Sequence, residues 1–173
     1  MPKFDTLEYL KYGNSTQKAV YRLLTATRII DLLRPFDPVV VGTIPLEINV
    51  PGSDIDLICC CKNDSGFKSV LSSFEIYQDY ELIEADVNGI FTIICRFSTG
   101  GFPVEIFAQN RPVREQEAYR HMLIEYNILQ QRGDVFKKEI IRLKQQGLKT
   151  EPAFALLLGL QGDPYRELLS FRV

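Results

Sequence analysis

The stretch from Val39 to Ile58 constrains this chain more than any other. An apolar run, Val39-Val40-Val41, ends in Gly42-Thr43. A second run, Ile55 to Ile58, is entered through Ser53-Asp54 and carries Asp56 in its interior. Both runs have the β-branched composition of strands. Side chains alternate faces along a strand, so Asp54 and Asp56 emerge on one side while Ile55 and Leu57 turn into a core. Two carboxylates on one face repel unless a cation lies between them. A hard divalent ion such as Mg²⁺ (or Mn²⁺) suits that position, because it takes oxygen ligands and leaves room for water or phosphate oxygens.

A third acid, Glu105, stands in Phe102-Pro103-Val104-Glu105-Ile106-Phe107, with apolar residues on both sides. A charge in the middle of an apolar strand requires a reason. Three carboxylates on neighbouring strands can hold two metal ions about 3.5–4 Å apart, the clamp used for in-line phosphoryl transfer. Glu84 and Asp86 repeat the spacing of the first pair. Their segment reads as an edge strand, where a charged face discourages aggregation, and that reading ranks above a second metal pair.

The rest of the chain supplies an α+β frame. Asn14 with Gln17 three residues on is a capping box, and the apolar spacing from Ala19 to Leu33 predicts one helix as far as Arg34. Phe67 to Tyr77 reads as a helix. Glu81–Val87 and Ile90–Phe97 read as strands about an Asn88-Gly89 hairpin turn. Strand–helix–strand followed by a hairpin and another strand implies a mixed sheet. From Arg111 onward the pattern is helical, with Pro112 at a first helical position, a reset at Gly133-Asp134, Thr150 as a cap and Asp163-Pro164 as a last helix start. The expected organisation is one domain over residues 1–173, with a core of about 15–110 and a helical extension of about 111–173 packed on it.

A formal net charge of −2 excludes a general attraction to nucleic acid. No apolar run approaches the length of a membrane span, and the N-terminus lacks the apolar core of a signal peptide. Cys59, Cys60, Cys61 and Cys95 read as small apolar filler in a reducing cytoplasm, since one histidine and no Cys-x-x-Cys argue against a zinc site.

The acid pattern resembles the nucleotidyltransferase superfamily with the DNA polymerase beta-like fold. That family shows Gly and a small hydroxyl residue after an apolar run, then acid-apolar-acid-apolar, then a later acid between apolar residues. Gly42-Thr43, Asp54-Ile55-Asp56-Leu57 and Val104-Glu105-Ile106 fill those slots, over roughly residues 15 to 108. The wording of the two loops is similar to small bacterial GrpB-like proteins. The resemblance implies Asp54, Asp56 and Glu105 as catalytic metal ligands for Mg²⁺ or Mn²⁺, and Gly42-Thr43 at the phosphates of a nucleoside triphosphate. Ser53, Arg114 and Lys149 complete the candidate nucleotide-binding set. The implied reaction is transfer of a nucleoside monophosphate to an acceptor that the sequence does not identify. The chain departs from the pattern in lacking a basic residue in Ile44–Pro51, and two prolines there disfavour a short helix. The alternative is a nucleotidyltransferase-fold protein that binds nucleotide or a protein partner without efficient turnover.

Arg111 and Arg114 follow the Glu105 strand and read equally as a solvated helix end or as phosphate contacts. Lys144, Lys149 and Thr150 form a second polar group, read first as a capped helix start from which Lys149 reaches a triphosphate if the helices close over the sheet. His121, the single histidine, flanks Met122-Leu123 and reads as structural or solvated.

Overall fold

The computed structural model describes residues 4–62 and 64–172. The chain opens with α1 (Glu8–Tyr12), α2 (Ser15–Thr27) and α3 (Ile29–Leu33). The capping box forms: Asn14 Oδ1 accepts from the Gln17 amide at 2.9 Å, and Gln17 Oε1 accepts from the Asn14 amide at 3.1 Å. The single helix expected as far as Arg34 is instead broken at Arg28, which adopts the left-handed conformation (φ 57°). Thr25 and Thr27 donate their hydroxyls back to the Tyr21 and Leu23 carbonyls, both at 2.8 Å, in the turn before the break. Such back-bonding competes with the helical ladder. The break turns Ile29 and Leu33 fully into the core.

A 3₁₀ turn (Arg34–Phe36) leads to β1 (Val39–Val41) and β2 (Ile55–Cys60). α4 (Asp64–Leu71) follows. The helix predicted from Phe67 to Tyr77 stops there and gives way to a 3₁₀ turn, Ser72–Phe74. Next come β3 (Gln78–Val87), β4 (Ile90–Thr99) and β5 (Phe102–Gln109). The hairpin turn has the two positive φ values that Asn-Gly supplies, 55° and 78°. The sheet order is β1-β2-β5-β4-β3. β2 and β5 run parallel and the other neighbours antiparallel, so the five-stranded sheet is mixed and the fold is α+β.

Strand alternation divides the sheet cleanly. Ile55, Leu57 and Cys59 of β2, with Val104, Ile106 and Ala108 of β5, join the core against α2, α3 and α4. Ile58, Cys60 and Phe107 face the other way, toward the C-terminal helices. Those helices are α5 (Glu117–Gln145), α6 (Thr150–Leu158) and α7 (Pro164–Ser170). α5 bends at Gly133 (φ 73°), the reset read from the sequence. Pro112 is extended (ψ 134°) and precedes a 3₁₀ turn, Val113–Glu115, rather than opening α5. Lys149, not Thr150, occupies the cap position of α6, whereas Asp163 caps α7 through the Tyr165 and Arg166 amides.

Gln17 does more than close the capping box. Its side chain is buried, and its Nε2 donates to the Ile44 and Pro45 carbonyls at 3.0 and 3.2 Å. The start of α2 therefore clamps the loop that leaves β1. Gln17→Ala strands the buried Pro45 carbonyl, leaves Ile44 O only its bond from the Glu47 amide, and opens the capping box, for an expected loss of about 1–3 kcal/mol in unfolding free energy by denaturant titration. A loss under about 0.5 kcal/mol would mean that the clamp is not under load.

Candidate nucleotide and metal site

The same alternation that sends Ile55 and Leu57 inward puts Asp56 on the face of the sheet that carries the C-terminal helices. β5 lies beside β2 in parallel, and the register sets Glu105 directly opposite Asp56. Asp54 stands just ahead of β2, exposed, on the approach to the same place. The three acids read from two separate segments thus converge along one edge of a cleft of about 750 Å³. That volume lies within the range of small-molecule sites, about 300–1,000 Å³.

Asp56 feels this convergence most. Burial, then the charge of Asp54, then that of Glu105 push its carboxyl from an ordinary 3.8 up to about 8, with Lys144 opposing. Glu105 is treated differently. Arg96, its antiparallel neighbour on β4, donates Nε to Glu105 Oε2 at 2.8 Å and also approaches Glu81 at 3.7 Å. Arg96 thus compensates Glu105, whereas Asp56 keeps like charges beside it, offset in part by Lys144. The donors here are of the type a hard divalent ion takes, carboxylate oxygens with Asp56 half-buried and open space in front, but the three acids do not form a set within 4.8 Å of one another.

Gly42 closes the other side. It ends β1 with φ 77°, and a Cβ at this position would collide with Asp56 Oδ2. Glycine is thus required twice, for its backbone angle and for the approach of Asp56. The following loop forms successive turns rather than a helix, with Thr43 O accepting from the Ile48 amide at 3.1 Å. Gly42 and Thr43 both line the cleft. Ser53 does not line it; its Oγ accepts from the Val50 amide at 2.9 Å and shapes the turn before Asp54.

The helices build the opposite wall. His121 and Glu125 of α5 line it, with Lys144, Lys149, Thr150 and Glu151 at the junction of α5 and α6, and Arg111 joins them from the bend after β5. Lys144 Nζ donates to Thr150 Oγ1 at 3.0 Å, so this polar group does assemble. Arg114 is not a lining residue. It is exposed and pairs with Asp5 at 3.0 Å. His121 is neither solvated nor on an outer flank: it is buried against the cleft, with its ring edge-on to Tyr165 at 6.2 Å between centroids. Burial lowers the pKa of His121 and of Lys144, and raises that of Glu125 well above the carboxylate range. His121, Glu125 and Glu151 were missed as a group from sequence. The only local signal was the four-residue spacing of His121 and Glu125, which puts both on one helix face. Of the competing pair, Glu84 bonds Lys68 and Asp86 accepts from the Gly89 amide in the hairpin turn, so each has a local partner.

The five-stranded mixed sheet with its flanking helices has a nucleotidyltransferase-like fold, which solved structures share. A Cid1 poly(U) polymerase bound to Mg 3′-dATP superposes with a TM-score of 0.55 at 15% identity, over 82% of this chain and 45% of that one. The GLD-2/RNP-8 complex gives 0.55 at 17% identity, over 87% and 60%. A cytoplasmic RNA terminal U-transferase gives 0.53 at 14% identity, over 82% and 46%. The chain therefore spans less than two thirds of each of these structures. Within that fold class, the chain belongs to DUF4269, a domain family of unknown function, whose model matches residues 22–171. No curated protein matches the chain. The likeness to GrpB-like proteins rests on loop wording alone.

Proposed function

We propose that this chain is a metal-dependent nucleotidyltransferase, working as one unit over residues 1–173, that moves a nucleoside monophosphate from a triphosphate to an acceptor hydroxyl. The observation that carries this is the register of Asp56 with Glu105 beside Asp54, at the rim of a cleft of about 750 Å³. Asp54 and Asp56 would hold Mg²⁺ or Mn²⁺, with Glu105 as the third carboxylate. Bound there, the ion supplies charge neutralisation for the triphosphate and acidifies an attacking hydroxyl. The other roles belong to the chain. The Gly42 turn and Thr43 line the cleft where the phosphates would lie, and Lys149 before α6 and Arg111 after β5 bring positive charge to it. Ser53 and Arg114 act indirectly in this reading, through the turn at Val50 and the tether to Asp5. Cys59, Cys60, Cys61 and Cys95, none of them in a disulfide, suit a reducing cytoplasm.

A second reading is favoured by the Arg96–Glu105 pair and by the missing base in the Thr43 loop: a module that binds nucleotide, or a protein partner, without efficient turnover. One screen separates them. Thermal shift with each of four nucleoside triphosphates, with Mg²⁺ or Mn²⁺, should give a metal-dependent rise for at least one. At a hundredfold excess over Kd the stabilisation is about 2.7 kcal/mol. Asp54→Ala should abolish it. Pyrophosphate release in the same wells supports the enzyme; a shift without release supports the module. No shift with any triphosphate rejects the enzyme and the nucleotide-binding module, and leaves only the protein-partner form.

A further inference from the structure

Three residues on the helical wall have no task in the reading above. His121 and Glu125 lie one turn apart on the same face of α5, and Glu151 reaches toward them from the first turn of α6. One ligand atom from each can be chosen so that all lie within 4.8 Å of one another. His121 is 5% exposed and Glu125 3%, yet His121 Nδ1 and Glu125 Oε1 have no hydrogen-bond partner. Buried polar atoms left unpaired cost about 1–3 kcal/mol each, and such orphans require an explanation. Lys144 brings positive charge nearby, but among the described residues it hydrogen-bonds Thr150 and neither glutamate.

We propose that His121, Glu125 and Glu151 bind a divalent first-row transition ion, Zn²⁺ or Mn²⁺, separate from any ion at Asp54 and Asp56. The donor set selects the class. An imidazole nitrogen with carboxylate oxygens suits borderline ions, whereas Mg²⁺ takes oxygen alone. Ligands about 2.0–2.2 Å from an ion stand at most about 4.4 Å apart, so the observed spread closes with side-chain shifts of a few tenths of an ångström. The ion gives both orphaned atoms a partner and ties α5 to α6 across the turn that joins them. Lys144 is a rival charge here, not a ligand.

The test uses the full chain, free of any histidine tag and stripped with a chelator. ZnCl₂, MnCl₂ and MgCl₂ are titrated by calorimetry, and retained metal is counted by mass spectrometry. Wild type should hold one Zn²⁺ or Mn²⁺ per chain, undisplaced by millimolar Mg²⁺. The Asp54→Asn/Asp56→Asn double variant should keep that ion. His121→Gln and Glu125→Gln should each weaken it at least tenfold while remaining folded by circular dichroism. Lys144→Met should bind as tightly or more so, because a competing charge is gone. An ion lost in the aspartate double variant but kept in His121→Gln overturns the proposal, as does wild type that retains no Zn²⁺ or Mn²⁺. The first outcome leaves the nucleotidyltransferase reading standing, and failure of that reading leaves this site untouched.

Discussion

Asp56→Asn is expected to raise the melting temperature of the metal-free protein at pH 8 and to abolish nucleotidyl transfer. The stability change follows from proton linkage. The unfolded chain releases the Asp56 proton near 3.8, whereas the folded chain holds it up to about 8. Between those values the native state binds more protons, so stability falls as pH rises. Below about pH 4 both states are protonated and the penalty is absent; above pH 8 it is fully present. Its size is a few kcal/mol, or about 5 °C or more for a chain of this length. Asparagine cannot titrate and keeps the shape. The gap between variant and wild type should therefore widen from pH 4 to pH 8 in thermal melts with chelator present. Saturating Mg²⁺ should shrink it, because the ion stabilises the wild-type carboxylate alone. A gap that is constant with pH would mean that Asp56 is not under the stress its surroundings imply. Normal turnover in the variant would remove it from the reaction.

Gly42→Ala should be nearly as damaging, and a second glycine provides the control. Gly42 and Gly101 have almost the same φ, 77° and 80°. At both, alanine carries the left-handed backbone cost of about 1–2 kcal/mol. They differ in surroundings: a new Cβ at Gly101 meets nothing within 4 Å, whereas at Gly42 it runs into Asp56 Oδ2. The atom met is the tip of the Asp56 side chain, with its Cγ and Cβ behind it at 3.1 and 3.4 Å, so relief displaces that carboxylate from the acid row or moves the end of β1. Gly42→Ala should thus lose about 1–3 kcal/mol more than Gly101→Ala, the usual cost of overpacking, and should lose the metal-dependent triphosphate shift that Gly101→Ala keeps. Equal losses in the two variants would show that Gly42 serves the backbone only and is not fitted to the acid.

The acid row was legible because it depends on one local rule, strand alternation, applied twice. Ile55-Asp56-Leu57 and Val104-Glu105-Ile106 each announce a charge on the face opposite a core, and only the pairing of the two strands remained to be found. Its partner was not legible. Arg96 meets Glu105 through a cross-strand register, and nothing in the spacing of the sequence marks it. Arg114 looked like a phosphate contact by its position after β5, yet a bond to Asp5, more than a hundred residues away in sequence, turns it elsewhere. The break at Arg28 was hidden because apolar periodicity counts residues and does not see threonine hydroxyls bonding backward. His121 was read alone and so was read as structural. Its neighbours Glu125 and Glu151 come from two helices whose angle is set by tertiary packing, and burial is what gives the three their chemistry.

The parallel pairing of β2 with β5 has a consequence for how the site comes into being. β3, β4 and β5 are joined by two tight turns, so they can assemble as a local meander. β2 takes its place beside β5 only across a separation of roughly fifty residues, the kind of contact whose loop entropy makes it form late. A chain that has completed only its meander carries Glu105 and Arg96 but offers a triphosphate no seat. Capture of nucleotide would therefore register the completion of the whole molecule and not the presence of any one of its parts.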